Sequence, residues 1–188
     1  MTEDRTAFRF DLGATWLNLL ATSGRTFGAD PIERLATPQR LADWLELSGL
    51  RPLAEPTSAD VEAARQLRET LRPVALAVAT ATPPDPENVA ALEYYLTTEF
   101  EPVRLIAADR LLCSAPATTS VALARIARQA VDHLTGPERD DLAVCPECDC
   151  RAVFVNAGDR RRWCPSSACA SRGRVRALRE RRRAAAES

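Results

Sequence analysis

Five of the six cysteines fall within 25 residues: Cys145, Cys148, Cys150, Cys164 and Cys169. Their order is C-x2-C-x-C, then C-x4-C. Two separated thiolate pairs, each delivered by a tight turn, suit a tetrahedral zinc ion with Zn–S near about 2.3 Å. Between the pairs, "RAVFVN" is a short strand candidate and "AGD" a turn, so a hairpin would bring the pairs together. One Zn2+ per chain needs four ligands, and Cys148 and Cys150 compete for one position. Cys145-Pro-Glu-Cys148 has the usual knuckle spacing, whereas Cys150 gives a C-x4-C that matches Cys164-x4-Cys169. Disulfide or redox pairing is the competing chemistry. A spare cysteine beside zinc thiolates would be open to oxidation that ejects the metal, which makes a thiol/zinc redox sensor an alternative function. Cys113, in "RLLCS", reads as a buried apolar cysteine.

Arginines crowd the same end. If the segment from about Ser171 is helical, Arg172, Arg176, Arg179 and Arg183 follow at i, i+4, i+7 and i+11 and share a face. Arg174 lies on the same helix, and Arg160, Arg161 and Arg162 sit on the hairpin. Val175 and Leu178 are expected to pack onto Phe154 or Trp163. Guanidinium groups stay charged and donate in bidentate fashion, which suits phosphate. These eight arginines are the candidate nucleic-acid contacts. Residues 151–188 hold 11 Arg against three acidic residues, whereas residues 1–150 hold 14 Arg against 23, so a basic end adjoins an acidic body. All 25 basic residues are arginine, which a GC-rich coding sequence would also produce, so arginine content alone decides little. A solvated cationic face and a zinc-stabilised protein-interaction module are the competing readings.

Enzyme chemistry has no foothold. The one histidine, His133, adjoins Asp132 near a helix end, and no phosphate loop, nucleophile elbow or paired-carboxylate motif occurs. No run of about 18 apolar residues is present, so no membrane span is expected. The start "MTEDRTAFRFDL" is acidic and lacks a signal-peptide core, so a cytoplasmic location is expected.

The elements that must position these residues read as mainly helical. "TPQRLADWLELSGL" is a short helix with Thr37 as cap, Pro38 in the first turn and Gly49 at the exit, burying Leu41, Trp44, Leu45 and Leu47. "SADVEAARQLRETLRPVALAVAT" spaces Val61, Ala64, Leu67 or Arg68, Leu71, Val74 and Val78 helically, with Pro73 expected to kink or break it. "NVAALEYYLTTEF" follows the loop 82–87 and presents Leu92, Tyr95 and Leu96. "VRLIAADRLLCS" fits a strand or a helix. "TTSVALARIARQAVDHL" is helical, with Val121, Leu123, Ile126, Ala130, Val131 and Leu134 inward. "GPERDD" (136–141) is the best domain boundary. Residues 1–138 suffice for a core of their own, whereas the appendage is too short to bury one without a metal or a partner.

The zinc segment resembles a known family. "CRAVFVN" together with "RRRWCPSSACASR" looks like the CGNR-type zinc finger of bacterial transcription regulators, which has an F-x-D strand, R-R-W-C-S-M, C-G-N-R and a basic helix. "FRFDLGATWLNLLAT" and "ERLATPQRLADWLELSGL" resemble its helical partner domain, called ABATE. Cys169-Ala170-Ser171-Arg172 keeps only the first and last residues of the tetrapeptide, Asn156 replaces the usual Asp, and the hairpin is about two residues shorter. The family register places the second ligand at Cys150. The resemblance implies a mainly α protein. An ABATE-like regulatory domain would span 1–138, and a zinc finger of short β-hairpin plus basic helix would span 139–184. It further implies DNA as partner and a transcription-regulating, non-enzymatic role. An effector at the N-terminal domain is a candidate partner, with Trp16, Asn18, Thr22 and Arg25 as candidate pocket residues. A homodimer would supply the reach that one small module lacks.

Overall fold

The computed structural model describes residues 6–97, 102 and 104–186, except the side chains of 180, 183, 185 and 186. Helix α1 (Thr15–Leu20) is buried almost entirely. A minimal ribbon, β1 (Ser23–Gly24) paired antiparallel with β2 (Ile32–Glu33), leads to α2 (Pro38–Leu47). Thr37 caps α2 by accepting from the Arg40 N–H, with Pro38 in the first turn, as expected from sequence. Leu41, Trp44 and Leu45 are buried, but Leu47 is 65% exposed because it falls on the outer face of the last turn.

Helix α3 (Ser58–Ala79) opens with a reciprocal capping box between Thr57 and Asp60. It is not broken at Pro73, which faces solvent, where water can satisfy the carbonyl left without its partner. Periodicity alone left Leu67 and Arg68 as alternatives, and the helix buries both, together with Arg72. Such burial is tolerable only with full pairing. Arg68 donates to both Glu33 oxygens (2.9 and 2.7 Å), to Glu69 (2.7 Å) and to the Thr22 hydroxyl (3.1 Å). Arg72 donates to Glu69 (2.9 Å) and to the Leu20 carbonyl (3.2 Å). Burial raises the Glu33 and Glu69 carboxyls, but the guanidinium partners outweigh it and hold both below the ordinary range. These contacts fasten α3 to β2 and to the end of α1.

Helix α4 (Pro86–Thr97) buries Leu92, with Tyr95 and Leu96 half-buried; residues 98–100 lie outside the described set. The ambiguous segment is a hairpin, β3 (Leu105–Ala107) against β4 (Leu111–Cys113), with Leu105 opposite Cys113. All six of its residues are exposed, because neither face lies on the core. Cys113 is therefore exposed, not buried as its apolar neighbours suggest. Helix α5 (Thr119–Thr135), capped by Thr118, buries Val121, Leu123, Ile126, Ala130 and Leu134. A 3-10 helix, Pro137–Asp141, ends this part.

Strands β5 (Leu142–Val144) and β6 (Val153–Val155) pair antiparallel, and α6 (Ser167–Ala186) closes the chain, starting four residues before the expected Ser171. The hairpin is built into the helical body. Leu142, Val153 and Phe154 are buried in one continuous core with Trp16, Leu67, Leu71 and Ile126. The Val155 N–H donates to the Leu12 carbonyl at 2.9 Å. Gly13, at φ +100°, makes that approach feasible, since a Cβ there would lie 2.6 Å from the Val155 Cβ.

Candidate metal centre and basic helix

Turns at both ends of the β5–β6 hairpin gather the thiols. The Cys145 N–H donates to the Ala152 carbonyl at the neck of the hairpin, and the Cys150 and Arg151 N–H groups both donate to the Glu147 carbonyl, closing the knuckle. Asn156 is buried and clamps the returning turn: its side chain accepts from the Arg161 N–H (2.9 Å) and donates to the Arg161 carbonyl (2.9 Å) and to Asp159 (3.0 Å). Cys164 then reaches back to the knuckle, and Cys169 joins it from the first turn of α6.

The Sγ atoms of Cys145, Cys150, Cys164 and Cys169 lie within 4.8 Å of one another. The Cys150–Cys164 separation is 3.9 Å, close to the edge of about 3.8 Å that a tetrahedron with zinc–thiolate bonds requires. The donor set thus fits a four-thiolate metal ion. Cys148 stands exposed outside this group, so the knuckle spacing is passed over in favour of the paired C-x4-C. Within the cluster, S–H groups of Cys145, Cys150 and Cys169 donating to Cys164 push its thiol strongly down. Hydrogen bonds to Cys145 first, and to Cys164 as well, hold the protons on Cys150 and Cys169 and push those thiols up. Cys145, bonded first to Cys150, is lowered to about 7. Four thiols this close cannot all ionise unaided, and a divalent ion is what resolves that repulsion. Two guanidinium groups face the sulfurs as well, Arg9 toward Cys164 (3.9 Å) and Arg172 toward Cys169 (3.4 Å).

Helix α6 is seated on this centre by groups that sequence reasoning did not single out. Glu147, inside the knuckle, has a side chain only 2% exposed. It accepts from Arg176 at 2.7 Å and from the Trp163 indole N–H at 3.3 Å, with Arg172 at 3.7 Å. Asp149 pairs with Arg172 at 3.2 Å and with Arg25 at 3.5 Å. Gly173, not Val175 or Leu178, makes the close packing. A Cβ at Gly173 would lie 2.4 Å from the Trp163 Nε1, whereas Val175 and Leu178 are each 48% exposed. No local pattern reveals Glu147, because its partners lie 16, 25 and 29 residues onward.

The eight candidate arginines therefore divide. Arg172 and Arg176 point toward acidic residues of the knuckle. Arg174 donates to the Ala170 carbonyl of its own helix and is exposed, and Arg179 is exposed. Arg183 lies on α6, with its side chain outside the described residues. Arg160, Arg161 and Arg162 are exposed, with Arg162 over the Trp163 ring at 5.1 Å. Among the described residues, none of these three has an acidic partner. Together with Ser166 and Ser167 they line a groove of about 410 Å³ beside the start of α6.

The candidate N-terminal pocket residues are mostly structural. Trp16 is fully buried and donates to His133 Nδ1 at 3.3 Å, which gives the single histidine a structural role at its helix end. Asn18 accepts from the Leu12 N–H, and Thr22 donates to the Leu19 carbonyl. Only Arg25 borders open space.

Residues 13–137 match the ABATE family, described as "Putative stress-induced transcription regulator", and residues 142–182 match the CGNR zinc finger. No curated protein matches the chain. Both matched modules are of regulatory, non-catalytic kinds. No helix among the described residues is long and apolar enough to cross a membrane. Spanning about two thirds of the sequence with the first match and the four-thiolate cluster with the second, the chain belongs to the ABATE family and carries a CGNR zinc finger.

Proposed function

We infer that the protein is a zinc-containing, DNA-binding transcription regulator. In this reading Cys145, Cys150, Cys164 and Cys169 hold one structural Zn2+, and the metal fixes a cationic surface against the helical domain. The observation that carries the reading is the convergence of four thiols at the start of α6, a helix whose exposed surface is rich in arginine. Residues 139–184 form the DNA-contacting unit and residues 1–138 the regulatory one, and a homodimer would double the contact.

Arg160, Arg161, Arg162, Arg174 and Arg179 are the groups best placed to meet phosphate, because Arg172 and Arg176 already face carboxylates. Five such contacts correspond to a slope of about −4 to −5 in log affinity against log salt. Anisotropy titrations of zinc-loaded protein on a duplex test this. Replacing Arg160, Arg161 and Arg162 by Ala should flatten the slope by about 2.5 units with zinc content unchanged. Intact zinc-loaded protein that binds no duplex at low salt would refute the reading.

A further inference from the structure

Between the helical body and the zinc finger lies a cleft of about 670 Å³ that no part of the DNA-binding reading uses. One wall comes from the segment before α1, the end of α1 and the β1–β2 ribbon; the other comes from β6 and the first turn of α6. Its lining carries five arginines, Arg9, Arg25, Arg34, Arg72 and Arg172, beside one carboxylate, Asp11, which Arg9 engages at 3.0 Å, and the thiols of Cys150 and Cys169. From outside the lining Glu69 pairs with Arg72, and Asp149 with Arg25 and Arg172. Arg34 and Arg72 are nine-tenths buried and fixed in place, since they donate to the Ala21 carbonyl (3.1 Å) and the Leu20 carbonyl (3.2 Å) at the end of α1. Guanidinium groups locked by backbone carbonyls are preorganised and need little ordering when an anion arrives. The rest of the lining is largely apolar, including Phe8, Leu20, Ile32 and Val153. A cleft of this volume suits a small molecule and is too small for a duplex.

We propose that this cleft binds a small organic anion with an apolar body, an aromatic or branched carboxylate or phosphate ester, and that its occupancy is felt by the zinc finger. The coupling is physical. Cys150 and Cys169 border the cleft, and Arg25 and Arg172 both hold Asp149 of the knuckle. An anion drawing on those two arginines competes with Asp149 and loosens the tie between knuckle and helical body. The ligand's purpose rests on the regulator reading, but its binding chemistry does not.

The test uses the full zinc-loaded chain and methyl NMR of Ile32 and Val153, with phenyl phosphate, benzoate, inorganic phosphate and benzylamine as probes. Phenyl phosphate and benzoate should give saturable shifts at both methyls. Inorganic phosphate should bind at least about tenfold more weakly for want of apolar contact. Benzylamine should not bind. Arg25→Ala, an exposed position, and Arg34→Met, checked for intact fold by thermal unfolding, should each weaken phenyl phosphate by roughly tenfold. Absence of saturable shifts, benzylamine binding as well as benzoate, or an unchanged affinity in Arg25→Ala overturns the proposal. Duplex titration of the same samples separates the two readings. A protein that takes benzoate but no DNA keeps the cleft and loses the regulator, and one that takes DNA but no anion does the reverse.

Discussion

Withdrawing zinc should disorder the finger in part, along a boundary set by what each segment buries. Structural zinc in small modules supplies on the order of 10–16 kcal/mol of apparent binding energy. Strands β5 and β6 have a second source: Leu142, Val153 and Phe154 are 7, 3 and 0% exposed within the helical core. At about 1.5–3 kcal/mol each, these three side chains contribute roughly 4.5–9 kcal/mol, an upper estimate. Among the described side chains, residues 145–151 and 160–186 have no comparable anchor, because their buried groups are chiefly the thiols and Glu147. Ordering them costs about 1–2 kcal/mol per residue in backbone entropy, far beyond what Trp163 and Gly173 return. A strong chelator should therefore leave the strands docked and release the knuckle and α6. Hydrogen exchange read by mass spectrometry checks this: peptides over 142–144 and 153–155 should stay protected while those over 160–186 lose protection. Equal loss in both sets would show that the hairpin depends on the metal. Unchanged protection throughout would refute metal at the cluster.

Elemental analysis should find about one zinc per chain in the native protein and in Cys148→Ser, and none retained by Cys150→Ser; the opposite pattern would move the ligand to Cys148. Glu147→Gln keeps the shape but removes the charge facing Arg176, so it should destabilise α6 docking by about 1–2 kcal/mol, measured by thermal unfolding at constant zinc content. The same variant should steepen the DNA salt slope by about one to two units as Arg172 and Arg176 become available; a slope that stays the same would mean those arginines already reach phosphate. Glu33 and Glu69 are held below the ordinary carboxylate range, so their contribution is present above about pH 4–5 and lost as pH falls through their lowered folded values. Urea unfolding from neutral to acid pH should show Glu33→Gln closing on the wild type as the pH drops, and a constant gap would refute the pairing with Arg68.

Much was legible in the sequence because it depends on local chemistry. Thr37-Pro38 and Thr57-x-x-Asp60 announce helix starts, since capping involves only near neighbours. The spacing of five cysteines indicates a metal cluster, and the family register points to Cys150. The charge contrast between body and end needs no structure at all. What remained hidden depends on partners distant in sequence. Pro73 passes within a helix because its exposed side meets water, and Arg68 and Arg72 go inside because Glu33, Glu69 and the end of α1 await them. Cys113 comes out because its hairpin has nothing to lie on. The periodicity of α6 spaces Arg172, Arg176, Arg179 and Arg183 at helical intervals, but it cannot say what the face they share meets. Only the folded knuckle, with Glu147 buried beneath Arg172 and Arg176, pairs the first half of that stripe with carboxylates, while Arg160, Arg161, Arg162, Arg174 and Arg179 stay exposed. Periodicity fixes direction around a helix axis, whereas the burial of a charge is decided by the counter-charge that tertiary packing brings to it.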